Sequence, residues 1–176
     1  MRRGDFIQLR SGRAFWPLDP RSDEIEIDDI AHALANLCRF TGHTREFYSV
    51  AQHSVHVSEA VPPEHALWGL LHDASEAYLI DLARPVKRLP ELAAYRDAEA
   101  AVMRAVCERF GLPLEEPAAV RVADRQMLRT EQRDLMPPPC PGEDRTDAEP
   151  YGFRVHGLAP GLARALFVAR FRELTR

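Results

Sequence analysis

The sequence predicts a mainly α-helical bundle with a small β-hairpin at its N-terminal end. It reads as one domain over residues 1–176. Apolar residues recur at helical spacing through most of residues 28–136, the expected helical core. Those runs are punctuated by helix starts at Ser49 and Pro117 and by stops at Pro62-Pro63, Gly111 and Pro113. A glycine-containing turn joins two short apolar stretches within residues 6–16, as a hairpin requires.

Composition agrees with a soluble globular chain, being 45% hydrophobic and 28% charged. A net charge of −4 argues against a surface that grips duplex nucleic acid through many phosphates. It leaves room for a small anionic ligand held by a local cation cluster. Cys38, Cys107 and Cys140 are far apart, with neither zinc-site spacing nor a disulfide pattern, which suits a reducing cytosol. The start, Met1-Arg2-Arg3-Gly4-Asp5, lacks an apolar run, so it is not read as a signal peptide. No apolar stretch reaches membrane-spanning length. A cytoplasmic location, with no membrane partner, is expected.

Phe6 to Leu9 and Arg13 to Trp16 form the hairpin around Ser11-Gly12, with Trp16 read as a lid over the core. Asp28 or Asp29 is expected to cap a helix buried through Ile30, Ala31, Leu34, Leu37 and Cys38; Gly42 is its plausible stop. His32 falls off that stripe and reads as surface or structural. Ser49 and Gln52 form a Ser-x-x-Gln capping box for the next helix. It carries His53 and His56, and the spacing alone does not choose between them as a ligand.

A helix is expected from Glu64 to Tyr78, buried by Ala66, Leu67, Leu70, Leu71, Ala74, Ala77 and Tyr78. At the edge of its stripe stands His72-Asp73. Adjacent helix residues point about 100° apart, so both side chains reach a point between their directions. A carboxylate there needs a partner, and a metal ion would supply one. Glu76 follows on the same face. The bland alternative is a helix-terminal histidine beside an exposed acidic edge.

Asp81 to Arg88 breaks the pattern at Pro85 and reads as a loop with one acid and three bases. Glu91 to Phe110 is a long helix closed by Gly111 and Pro113. Pro117 opens another, buried through Val120, Ala123, Met127, Leu128 and Leu135. Asp124 lies within that stripe and demands a partner. Glu131 is read as an arginine partner. Residues 137–150 form a long proline-rich loop. Phe153 to His156 is expected to return as a strand to the hairpin. Pro160 starts a last helix with Leu162, Ala165, Leu166, Ala169 and Phe171 as its apolar residues, the strand and helix together filling 151–175.

The polar residues stranded on apolar faces are thus a histidine of the Ser49 helix, His72, Asp73 and Asp124. Two imidazoles and two carboxylates suit a divalent transition metal with open positions for water or substrate.

The order H…HD…D on successive helices resembles the HD-domain superfamily of metal-dependent phosphohydrolases, over roughly residues 31–135. The resemblance is closer to its bacterial 5′-deoxynucleotidase branch, where H-D-x-S-E is followed by an acid and P-x-K. Here the pattern stands as His72-Asp73-Ala74-Ser75-Glu76, Asp81 and Pro85-Val86-Lys87. Val50-Ala51-Gln52-His53-Ser54 is similar to the branch's first-histidine motif, with Gln52 where an acid is usual. Phe15 to Pro20, F-W-P-L-D-P, resembles the start of a compact subgroup.

The resemblance implies an HD-domain bundle with His53, His72, Asp73 and Asp124 as ligands of a divalent ion (Mn, Co, Fe, Ni, Zn or Mg). It implies that Glu76 positions or activates water and that Asp81 lies near the sugar or the attacking water. Arg39-Phe40 stands where the branch has an Arg-Trp pair that touches the nucleotide, and Lys87 is a candidate phosphate contact. The expected activity is hydrolysis of a (deoxy)nucleoside 5′-monophosphate to nucleoside and phosphate. The alternatives are a nucleoside triphosphate hydrolase, a cyclic-nucleotide phosphodiesterase, an inactive nucleotide-binding module, or a purely structural helical domain. Dimers are common among such relatives, so a homodimer or higher homo-oligomer is expected, with the apolar C-terminal helix as a possible contact.

Overall fold

The computed structural model describes residues 2–140 and 148–176. It is mainly helical, with one two-stranded antiparallel sheet among those residues. β1 (Ile7–Gln8) pairs with β2 (Ala14–Phe15) in the register Ile7 opposite Phe15. Gly12 adopts φ 84° in the turn, a conformation that costs glycine little. Phe15, rather than Trp16, closes the core: it is fully buried and stacks on Tyr78 with ring centroids 4.1 Å apart. Trp16 is half-buried beneath the Arg2 guanidinium.

α1 (Ile27–Asn36) starts at Glu26 without a side-chain cap. Neither Asp28 nor Asp29 caps it. Asp29 instead faces the hairpin, accepting from the backbone N and the Oγ of Ser11 at 2.9 and 2.8 Å. That satisfies a carboxylate only 5% exposed. α1 ends before Leu37, and a separate 3-10 turn spans Arg39–Gly42.

α2 (Val50–Ala60) is central, packed by α1, α3, α7 and α8. Ser49 caps it, accepting from Gln52 N at 3.2 Å. The reciprocal half of the expected box is absent. The Gln52 amide donates to His156 O at 2.7 Å and accepts from Leu158 N at 3.1 Å. An acid could not do both, which gives a physical reason for glutamine at this position.

The expected helix from Glu64 to Tyr78 is interrupted. A 3-10 turn (Pro63–His65) leads into α3 (Ala66–Leu71), and α4 (Glu76–Leu79) follows after four residues of turn. Ile80 then takes φ 67° and ψ 155°, strained for a β-branched residue. α5 (Arg84–Lys87) replaces the expected loop, with Pro85 in its first turn, where a missing N–H costs nothing. α6 (Ala93–Phe110) ends on left-handed Gly111, and α7 (Ala118–Leu135) begins after Pro117.

Phe153 to His156 is not a strand, and its contacts are with α7, α2 and, through Gly157, the chain before α2. Val155 N donates to Asp134 at 3.0 Å, and Gly157 N donates to Glu46 at 2.7 Å. α8 (Pro160–Leu174) forms as expected, but its buried residues are Ala163 and Phe167. Leu162 and Leu166 are 51% and 41% exposed, because α8 turns its other face to α1 and α2. The 137–150 loop is described only at its two ends; residues 141–147 lie outside the described residues. No described helix is long and apolar enough to cross a membrane.

Candidate metal centre

His53 is fully buried because α2 is covered on several sides. Gly69 lets α3 approach closely: a Cβ there would lie 3.2 Å from Ser58 Cα. This contact brings the C-terminal end of α3 beside α2, and His72 meets His53. The chain then tightens through His72–Ser75. Ala74, Glu76, Ala77 and Tyr78 each donate to the carbonyl three residues back. This 3-10 winding within the motif is where the periodic pattern predicted continuous helix; such winding is frequent at functional positions.

The geometry of the two imidazoles is informative. Their Nε2 atoms face each other at 3.3 Å. Each Nδ1 is already engaged, that of His72 with Gly69 O at 2.8 Å and that of His53 with Glu131 Oε1 at 2.6 Å. A carbonyl only accepts, so Nδ1 of His72 carries a proton, and the Glu131 carboxylate assigns the same tautomer to His53. In their neutral forms both rings therefore turn Nε2 lone pairs toward one point. Asp73 Oδ2 lies 3.1 Å from His72 Nε2 and 3.7 Å from His53 Nε2, and Asp124 Oδ1 lies 3.2 Å from His53 Nε2.

Lone pairs converging in this way need positive charge between them. Burial would lower the His72 imidazole, but the Asp73 carboxylate, with Asp124, outweighs it and pushes the group up to about 10. His53 is raised as well: burial and Arg39 oppose, and Glu131 with Asp124 prevail. Asp73 is held down to about 2, with the two histidines and Arg39 overcoming burial. A divalent ion could take the place of these protons. Ligand atoms sharing an ion at bonds of about 2.1 Å lie roughly 3.0–3.4 Å apart, close to the separations here. Ligand atoms of His53, His72 and Asp73 all lie within 4.8 Å of one another. Asp124 joins the set through His53, and the four expected ligands are thus brought together. His56 is excluded; its ring packs on Phe153 and its Nδ1 faces Glu59.

Sequence reasoning missed the full role of Glu131. It is fully buried and does meet an arginine, accepting from Arg39 Nε at 3.0 Å. Its other oxygen orients His53, as second-layer carboxylates commonly do for histidine ligands. The clue was available: Glu131 lies two turns beyond Asp124 on α7, on the same face. His53 is held between two acids of one helix.

The cluster opens into a cavity of about 780 Å³. Asp73, Asp124, Glu76 and Asp81 line it, as do Arg39, Phe40 and Lys87. Arg39 reaches Asp73 as well as Glu131, with Nη1 at 3.6 Å from Oδ2. Phe40 takes φ 53°, in the left-handed region, with its ring centroid 5.7 Å from the Arg39 guanidinium. Lys87 pairs with Glu99 at 2.6 Å. Glu76 Oε2 is buried without a hydrogen-bond partner. Burial, then the Asp73 and Asp81 carboxylates, hold the Glu76 carboxyl well above its ordinary value. Asp81 is raised by burial, with Arg39 opposing. Every residue expected at the site lies in the cluster or on the cavity wall.

Two bacterial proteins align with nearly the whole chain. "Uncharacterized protein YfdR" of Escherichia coli strain K12 is 42% identical over 176 residues, 97% of this chain and 96% of its own. "Uncharacterized protein RCAP_rcc00048" of Rhodobacter capsulatus is 37% identical over 187 aligned positions, 96% of this chain and 95% of its own. The chain belongs to the family that these proteins represent. No family model matches it.

Proposed function

We propose that the protein is a divalent-metal-dependent phosphohydrolase acting on (deoxy)nucleoside 5′-phosphates. The observation that carries this reading is the pair of facing Nε2 atoms, 3.3 Å apart, with both Nδ1 edges engaged and two carboxylates alongside. When bound there, a divalent ion offsets charge on a phosphoryl oxygen and acidifies water.

The chain's own residues supply the rest. Glu76 lies three residues past Asp73 with one buried oxygen unengaged, placed to accept a proton from the attacking water or to hold it. Its raised proton affinity owes most to burial and then to Asp73, so charge neutralised at Asp73 favours the carboxylate that a base requires. Asp81 presents a second carboxyl to the sugar or the water. Arg39 offers a planar guanidinium beside the cluster, and Lys87 a point charge farther along the wall. Phe40 gives an apolar face for sugar or base.

The test is product identification. Metal-loaded protein is incubated with deoxynucleoside mono- and triphosphates and cyclic nucleotides, and the products are weighed by mass spectrometry. Orthophosphate and nucleoside from a 5′-monophosphate are expected. Triphosphate or pyrophosphate release, or cyclic-ester opening, would move the assignment to those alternatives. No turnover of any nucleotide would leave a binding module.

A further inference from the structure

One part of the cavity wall is unused by that mechanism. The Asp81–Arg88 segment carries three bases, and only Lys87 has an acid partner, Glu99. Arg84 and Arg88 also line the cavity, are exposed, and make no ion pair or hydrogen bond through their side chains among the described residues. They stand four positions apart on α5 and its C-cap, linked by the Arg88 N to Arg84 O bond of 3.2 Å, so they share one face. Arg96 secures the segment, donating from Nη1 to Lys87 O and Leu89 O at 2.7 and 2.8 Å. Those carbonyls orient its guanidinium without offsetting its charge. Three guanidiniums therefore face the cavity without a carboxylate partner, in a chain whose net charge is −4. The cations nearer the cluster differ: Arg39 is paired with Glu131 and Asp73.

We propose that Arg84 and Arg88 form a subsite for a second phosphate group of the ligand, distinct from the phosphoryl group that reacts at the metal centre. α5 carries none of the metal ligands, so the two anionic groups are recognised by separate elements. Guanidinium forks match phosphate oxygens two at a time, which lysine at these positions would not do. The cavity, about 780 Å³, is in the upper part of the range of small-molecule sites and has room beyond a single phosphoryl group. A 5′-monophosphate can still react at the centre, and the ligands preferred by the cavity are nucleotides with a further phosphate. The second phosphate lies either along a 5′ chain or on the 3′ oxygen. This deepens the phosphohydrolase reading and rests on it only for which phosphate is cleaved.

The test is calorimetric binding to metal-loaded protein, using analogues in which methylene replaces every phosphate ester and anhydride oxygen. The probes are analogues of deoxyadenosine 5′-monophosphate, its 5′-triphosphate and its 3′,5′-bisphosphate. At least one two-phosphate-or-more probe is expected to bind about tenfold or more tightly than the monophosphate analogue. Which one does so locates the second group. In Arg84→Ala/Arg88→Ala that ratio is expected to fall close to one, and in Arg84→Lys/Arg88→Lys to an intermediate value. Circular dichroism verifies that both variants fold. A wild-type ratio near one for both probes, or a ratio unchanged in the alanine variant, overturns the proposal. Absence of turnover with natural nucleotides would refute the phosphohydrolase reading and leave this ratio standing.

Discussion

Glu131→Gln isolates the least expected part of the centre. The substitution preserves shape and an acceptor oxygen but removes the charge that His53 and Arg39 share at 2.6 and 3.0 Å. A hydrogen bond to a charged acceptor contributes about 1.5–3 kcal/mol and a neutral one about 0.5–1.5. Both carboxylate oxygens accept, so the amide serves one donor and turns its NH2 to the other; one bond weakened by about 1 kcal/mol and one donor left unsatisfied at about 1–3 kcal/mol cost the folded protein about 2–4 kcal/mol. Arg39 keeps its longer contact to Asp73 at 3.6 Å, so its charge is not fully orphaned and the loss stays short of the upper end of the roughly 3–5 kcal/mol that such a charge costs. The His53 share lowers the basicity of a ligand nitrogen, and metal affinity should fall about 10- to 100-fold. Competition with a fluorescent chelator measures the affinity, and urea unfolding in EDTA measures the stability. Wild-type metal affinity in this variant would refute the role given to Glu131.

His72, Asp134 and Gly69 carry the further predictions. Metal uptake at pH 7 should release at least one proton, because His72 is protonated up to about 10 without metal and cannot stay so as a ligand. Calorimetry in buffers of different ionisation enthalpy counts the protons, and zero release would contradict the assignment. The same raised value implies that metal-free protein has this stabilisation in full below the unfolded histidine range, near 6.5, and loses it as pH climbs towards about 10; denaturant midpoints across that interval read it. Asp134→Ala should destabilise by about 1–3 kcal/mol, since a side chain 3% exposed accepts from Val155 N and from Arg133 and Arg154, whose guanidiniums stay in reach of water. Asp134 is held below the usual carboxylate range, chiefly by Arg133, so its contribution is present above about pH 4 and fades on acidification; the variant's acid-unfolding profile should be flatter there. Gly69→Ala forces backbone apart at Ser58, and unfolding should show a loss of about 1–3 kcal/mol together with weaker metal binding.

The helices were legible because burial imposes a period on the chain. α2, α6, α7 and α8 appear close to where apolar spacing, Ser49, Gly111 and Pro117 put them. The stretch around His72 was less legible, since a turn wound by three looks in sequence like one wound by 3.6. The stranded acids and histidines were visible as costs that something must offset, and they do converge. The partners of polar groups were not visible where they depend on distant chain. Asp29 serves Ser11, Gln52 serves His156 and Leu158, and Lys87 serves Glu99. For α8, apolar residues lie on more than one face, and packing on α1 and α2 selects Ala163 and Phe167.

The most direct measurement is the amount of metal bound per chain. Equilibrium dialysis against a manganese or cobalt salt, followed by elemental analysis, would be run on the wild type and on His72→Ala. The account predicts about one tightly held ion per wild-type chain and none retained by the variant, whose fold is checked by circular dichroism. A wild-type chain that holds no ion, or a His72→Ala chain that holds one as tightly, would contradict it.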